Sequence, residues 1–298
     1  MSSRKTELSR VTIWGAVINT VLSGLKLVAG IFGRSSAMIA DAVHSLSDLV
    51  SDMIVLVMIN ISAKGRDKGH DYGHGKFETL ATLFASLLLI GVAIKLMQHG
   101  LADIRSVMSG ESLETPSVFA AAIAFLSVVV KEILYQWTNR VGKKFSCETL
   151  SANAWHHRTD ALSSVGALIG IGGAILLGGK WIMLDPLVSC IISVVIFIVA
   201  VKMSIPALLE LTDASLPDEV ENEIIRIISG VDGVLDVHDL KTRRLGPQII
   251  VDVHIVVAPE MTVAKSHDVT IEVEEKLRCE FGFETQISIH VEPSVDAK

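Results

Sequence analysis

Along residues 1–206, long apolar stretches alternate with short polar connections, and past that point the spacing changes character. Six stretches, at about residues 11–32, 36–61, 80–104, 116–135, 150–177 and 181–205, are each long enough to cross a bilayer as a helix, which takes about 20 residues. An even number of spans returns both termini to one side. Arg4, Lys5, Arg10, Lys64, Arg66, Lys68, Lys76, Arg140, Lys143 and Lys144 flank the N-terminus and the second and fourth connections, whereas the others hold only Arg34, Arg105 and Lys180. The positive-inside rule then places both termini in the cytoplasm.

After Pro206 the periodicity is that of a water-soluble domain. "LPDEVENEIIRIISG" opens with Pro217 and acids in its first turn and stops at Gly230, a helix signature. "GVLDVHDLKTRRL" and "QIIVDVHIVVA" alternate apolar and polar positions around a Gly-Pro pair, as a hairpin does. "MTVAKSHDVTIEVEEKLRCEFG" has helical spacing, and "TQISIHVEP" reads as a last strand. The predicted fold is a six-helix transmembrane α-bundle, residues 1–206, followed by a small cytoplasmic α+β domain, residues 207–298. The order αββαβ suits a ferredoxin-like or metallochaperone-like layer with both helices on one face of the sheet.

Composition sharpens this division. Half of the chain is hydrophobic, as in membrane proteins. Residues 1–206 hold 18 Lys and Arg against 14 Asp and Glu, and residues 207–298 hold 8 against 19. So acidic a tail argues against a nucleic-acid partner and for a cation. Cys147, Cys190 and Cys279 form no pair motif, so no disulfide framework or thiolate metal site is expected. The polar N-terminus runs straight into the first long apolar stretch without the short core and cleavage site of a signal peptide.

Chemistry is concentrated in the second and fifth apolar stretches. Asp41, His44, Asp48 and Asp52 fall at i, i+3, i+7 and i+11, one face of a helix. Asn153, His156, Asp160 and Ser164 share a face in the same way. Each ionisable group near a bilayer centre costs about 2.5–3.5 kcal/mol on insertion scales, so a bound cation or a water-filled path has to compensate. One His–Asp pair alone would serve equally as a hydrogen bond locking two helices. Two pairs at identical spacing, His44/Asp48 and His156/Asp160, make a set of two imidazoles and two carboxylates suited to tetrahedral Zn²⁺, and less selectively to Cd²⁺, Co²⁺ or Fe²⁺. His157 lies about 100° around the helix from His156, and its i, i+3 spacing to Asp160 makes it the alternative ligand. Asp41 and Asp52 either line water paths on the two sides of the site or are solvated near helix ends.

Outside the membrane stretches, Asp67, His70 and His74 stand in a loop at a spacing able to hold one metal ion with water as a fourth ligand; a polar, solvated loop is the other reading. The tail places His238, His254 and His290 on separate predicted strands and His267 on its second helix, with Glu292 two residues after His290 on the same strand face. That grouping points to a metal-sensing cluster.

Several segments taken in order, "ADAVHSLSDLVSD", "YGHGKFETL", "AWHHRTDALSS", "LTDASLPDE", "VHDLKTRRLG" and "ISIHVEP", resemble the cation diffusion facilitators, proton-coupled exporters of divalent metals, over nearly the whole chain. The resemblance is to the bacterial zinc and iron efflux type. It implies a transport site at His44, Asp48, His156 and Asp160, of the two-His, two-Asp variant associated with zinc, and a homodimer in the lipid bilayer; short loops and the lack of a targeting signal fit a prokaryotic inner membrane, with an organelle membrane as the alternative. It also implies a charge pair between Lys76 and Asp213 joining the membrane and cytoplasmic parts, and a metal in the Asp67, His70, His74 loop. Family members often carry Asp where this chain has Glu292 and bind two regulatory ions there across the dimer interface. The expected activity is secondary transport rather than enzymatic turnover: metal displaces protons from the site on one side, and the site returns protonated. Imidazole, with an ordinary value near 6.5, is suited to that exchange. Export of Fe²⁺ or Mn²⁺ is the alternative within the class. A membrane metal sensor would leave the intramembrane aspartates without a purpose. An intramembrane metalloenzyme would need an open coordination position, which four protein ligands do not leave.

Overall fold

The computed structural model describes the backbone of residues 2–62, 67–110, 113–144, 148–246 and 248–294; side chains at 2–9, 51–62, 148–153 and 156 are outside that description. Lys64, Arg66, Cys147 and the side chains of Arg4, Lys5, Asp52, Asn153 and His156 therefore lie outside the described residues. Six long helices come first: α1 (Ser2–Phe32), α2 (Ser36–Ser62), α3 (Gly75–Met108), α4 (Val118–Lys144), α5 (Glu148–Leu177) and, after a 3-10 segment at Gly179–Met183, α6 (Leu184–Leu211). Among the described residues, five helices are long and apolar enough to cross a membrane: α1 from Arg10, α3, α4, α5 from His157, and α6 with the segment before it. The apolar second half of α2 falls at residues 51–62. The tail follows the predicted order with α7 (Asp218–Ser229), β1 (Asp236–Leu245), β2 (Gln248–Val257), α8 (Val263–Phe281) and β3 (Gln286–Pro293).

By internal contacts the chain forms two compact units, Met1–Met53 with Ala85–Lys202 and Ile54–Phe84 with Met203–Lys298. In the first unit, α1 and α5 both pack against α4. Its interior is made of small side chains: Ala29, Ala37, Ala120, Ala124 and Ala167 are fully buried around Met38 and Ile171. Large apolar side chains such as Phe125, Ile133, Ile169 and Leu176 face outward, as a lipid-facing surface requires. Without a hydrophobic force between helices in lipid, close backbone approach is what holds such a bundle together. Gly30 marks one approach, where an added Cβ would lie 2.9 Å from the backbone nitrogen of Ile39. The turn between α1 and α2 is held from α6. The Asp185 carboxylate accepts from the Ser35 hydroxyl and the Ser36 backbone N–H, each at 2.6 Å, and so caps the N-terminus of α2 where its dipole favours a negative charge.

In the second unit the sheet has the order β1-β2-β3, with β1 antiparallel to β2 and β2 parallel to β3. One face of β2 (Val251, Val253, Ile255 and Val257) packs against Ile224 and Ile228 of α7 and Val273 and Leu277 of α8. The other face stays open. The alternation of apolar and polar residues read from the sequence thus becomes a covered and an uncovered side.

Ile228 is fully buried at the centre of that core. Ile228→Ala is expected to cost about 2–5 kcal/mol of local stability. Hydrogen exchange on the full chain should show faster exchange across β1, β2 and β3 with the long helices unchanged; unaltered protection in the sheet would contradict this packing.

Candidate metal centres

Three clusters of ligating side chains form among the described residues. The first lies inside the helical unit. His44 and Asp48, one turn apart on α2, meet Asp160 of α5, and one ligand atom from each lies within 4.8 Å of the others. Zinc bonds of about 2.0–2.2 Å put tetrahedral ligands about 3.4 Å apart, so a small closure brings these three onto one ion. Asp160 is buried. The backbone of His156 stands one helical turn before it on α5, and its side chain is outside the described residues. His157 is buried too, but its Nδ1 lies 3.4 Å from the Asn19 amide of α1, a place against a neighbouring helix.

Sequence reading missed the cations around this cluster. Lys26 of α1 and Lys131 of α4 are 0 % and 2 % exposed. Lys26 Nζ lies 2.8 Å from Asp41 Oδ2 and donates to the hydroxyls of Ser164 at 2.8 Å and Ser45 at 3.1 Å. Asp41 also accepts from Ser163 at 2.8 Å and Ser164 at 2.9 Å. Asp41, a candidate for lining a water path or for simple solvation, is fully buried in this ion pair and its hydroxyl ring. Lys131 Nζ lies 3.2 Å from Asp160 Oδ2 and 3.5 Å from Ser45 Oγ. Any lysine inside an apolar helix carries the same insertion cost as an aspartate, and that signal was available in the sequence at both positions.

The second cluster, Asp67, His70 and His74, lies before and at the start of α3. Asp67 Oδ1 accepts backbone N–H from Gly69 at 2.8 Å and His70 at 2.9 Å, which closes a turn and holds its carboxyl below the usual range, with the Gly69 contact the larger cause. Both imidazoles are then brought to one carboxylate: His74 Nε2 lies 3.3 Å from Oδ2, and His70 Nδ1 lies 3.5 Å from Oδ1.

Beside it, the end of α6 meets the start of α3. Helix α6 terminates with Asp213 in the left-handed region at φ 55°, and the Ala214 N–H closes back to the Leu209 carbonyl at 2.9 Å, a Schellman-type end. That turn brings the Asp213 carboxylate to Lys76 Nζ at 2.7 Å, with Arg243 Nε at 3.9 Å. Glu210, one turn back, accepts from the Thr79 hydroxyl at 2.7 Å and the Gly246 N–H at 2.6 Å. The Lys76–Asp213 pair is the one the family resemblance implied, whereas the contacts of Arg243, Glu210, Thr79 and Gly246 were not visible in the sequence, because they form only when α3, α6 and the β1–β2 turn converge.

The third cluster occupies the open face of the sheet. His238, His254 and His290 are register partners across β1, β2 and β3, and Glu292 stands two residues beyond His290. Glu292 reaches His254 Nδ1 at 3.0 Å, His238 Nε2 at 3.3 Å and His290 Nε2 at 3.6 Å. The ligand atoms of His238, His254 and Glu292 fall within 4.8 Å of one another. His267 is exposed on α8, apart from this group. Asp239 was not foreseen. The bulge between His238 and Lys241 gives it φ 46° and brings its carboxylate 3.6 Å from His254 Nε2.

Comparison with known proteins finds two family models in succession along the chain. Residues 12–212 match the family model described as the cation efflux transmembrane domain, and residues 216–294 match that of the cation efflux protein, cytoplasmic domain. Metal tolerance protein C1 of Arabidopsis thaliana is 36% identical over 292 residues, covering 94% of this chain and 61% of that protein; the chain thus spans less than two thirds of that relative's length. Manganese efflux system protein MneP of Bacillus subtilis is 30% identical over 298 residues, covering 98% of this chain and 99% of that one. Magnetosome protein MamM of Paramagnetospirillum magneticum is 33% identical over 266 residues, covering 89% and 82%.

The Lys76 ammonium, by donating to Asp213, is the main cause holding that carboxyl below the usual range. A carboxyl lowered on folding contributes stability above its unfolded value of about 3.9 and loses it as pH falls through the folded value. A carbon-detected titration should place the Asp213 midpoint below about 3.9, and Lys76→Ala should raise it part of the way, since Arg243 remains. No movement would show that the pair is not what sets it.

Proposed function

Because the chain belongs to the cation efflux family, the cation diffusion facilitators, which are transporters of divalent metal cations, we propose that it exports Zn²⁺ by exchange for protons. The observation that carries this reading is the meeting of His44 and Asp48 from α2 with Asp160 from α5 inside the helical unit. His156, one turn before Asp160, supplies the fourth ligand. Imidazole favours zinc over manganese, which prefers all-oxygen sites. Zinc entering from the cytoplasm displaces protons from the ligands; on the other side protons displace zinc, and the protonated site returns. An inward proton gradient then drives metal outward. Export of Mn²⁺ is the second reading, favoured by the likeness to MneP along almost its whole length and by two carboxylates among the three described ligands. Fe²⁺ stands between the two in ligand preference.

The rest of the architecture follows from the same reading. Helix α2 is the sixth span, and both termini are cytoplasmic, in a prokaryotic inner membrane. Residues 1–206 form the transport body and residues 207–298 the regulator of a homodimer. His238, His254, His290 and Glu292 bind regulatory metal. His267, exposed on α8, is available to an ion shared with a second copy. The tail's excess of carboxylates repels a second tail until bound cations neutralise it. Closing the two tails then biases the transport body, through the joint at Lys76 and Asp213, toward its active arrangement. Asp67, His70 and His74 hold a further ion near that joint.

Purified protein in proteoliposomes, with a trapped dye reporting internal pH, tests the transport reading. Saturable zinc flux with opposed proton movement is expected, reduced at least about a hundredfold by Asp160→Ala, which removes a charged ligand. Flux of manganese but not zinc would select the second reading, and no flux of any metal with binding intact would overturn both. For the tail, distance measurements between spin labels at Cys279, exposed near the end of α8, should shorten on adding zinc to the dimer. Unchanged distances, or shortening that survives His254→Ala, would remove the regulatory role.

A further inference from the structure

We propose that Lys131 is a tethered counter-cation of the transport site, whose ammonium pairs with Asp160 whenever no metal ion is bound there and is displaced from it by the incoming ion. The proposal rests on the reading of His44, Asp48 and Asp160 as that site.

The two buried lysines among the described residues of the helical unit are held in different ways. Lys26 has a carboxylate of its own: Asp41 at 2.8 Å, with the hydroxyls of Ser164 at 2.8 Å and Ser45 at 3.1 Å completing its three donors. Asp41 lies outside the ligand cluster, so a metal ion has no reason to separate that pair. Lys131 shares its carboxylate with the cluster. Its ion-pair partner at 3.2 Å is Asp160, and the hydroxyl of Ser45 lies at 3.5 Å, the outer limit of a hydrogen bond. A ligand carboxylate therefore has two claimants, the metal and the ammonium. With Lys131 only 2 % exposed, solvent offers the ammonium little alternative.

Charge balance gives the contact a function. Lys26 and Asp41 cancel. Counted before the ligands take up protons, Asp48, Asp160 and Lys131 together leave one negative charge without metal and one positive charge with a divalent ion. With a neutral residue in place of Lys131, the same count would be two negative charges empty and none when loaded. Uncompensated charge in an apolar bundle is costly, so the lysine shares the burden between the two halves of the cycle, at the expense of weaker metal binding. Its removal should favour the loaded carrier and hinder the return of the empty one. A residue that merely props α4 against α5 would not separate those two steps.

The test is carried out with the full chain in proteoliposomes, comparing net zinc uptake, which requires the empty carrier to return, with exchange of radioactive zinc between equal zinc pools, which does not. Lys131→Met and Lys131→Gln should each lower net uptake at least about tenfold while exchange stays close to wild type and the half-saturating zinc concentration falls. Lys131→Arg, which keeps the charge, should retain net uptake. Gln keeps a donor toward Ser45 and Asp160 and serves if Met does not fold. Parallel loss of uptake and exchange in the neutral variants, no loss of either, or an Arg variant behaving like Gln would overturn the proposal. Wild-type protein without saturable flux would instead remove the transport reading on which it stands.

Discussion

Charge that cannot reach water has to be matched where it lies, and this constraint organises the helical unit. Asp41 and Asp160 are buried among helices whose interior is rich in alanine and serine. Each faces an equally buried lysine from another helix: Lys26 of α1 for Asp41, Lys131 of α4 for Asp160. In a low-dielectric interior an unpaired charge is destabilising by several kcal/mol. The four helices α1, α2, α4 and α5 are thus brought into one arrangement by the pairing, and Ser45, Ser127 and Ser164 fill the gaps with hydroxyls able to donate and accept at once. The small residues that permit close approach and the charged residues that require it are parts of one solution.

The tail meets the opposite problem. It is surrounded by water and has a single hydrophobic core, so only one face of its three-stranded sheet is covered. The uncovered face is where polar ligands cost nothing to display. Register places His238, His254 and His290 side by side across the three strands, and the pleat returns Glu292 to the same side. A bulge then adds Asp239. Exposed imidazoles beside carboxylates in an acidic domain suit reversible capture of a cation, in contrast to the enclosed cluster between α2 and α5.

Within the second unit, chain ends converge in a polar cluster. The Schellman-type end of α6 presents Asp213, the first turn of α3 presents Lys76 and Thr79, and the turn after β1 presents the Gly246 N–H. Gly75 permits this contact, since a Cβ there would lie 2.8 Å from the Leu245 carbonyl oxygen.

Much of this was legible in the residues themselves. Apolar length reported the long helices. Alternation and turn residues reported the αββαβ order. Identical spacing reported that His44 with Asp48 and His156 with Asp160 each share a helix face. These are local properties of one segment at a time. What tertiary structure decided is which faces meet: His157 against Asn19 of α1, Asp41 in the grip of Lys26, Lys131 on Asp160, Glu210 between Thr79 and Gly246, and Asp239 turned onto the histidine row. A helix or strand pattern specifies the direction of a side chain relative to its own axis, but its partner depends on how several axes cross, and no single segment encodes that.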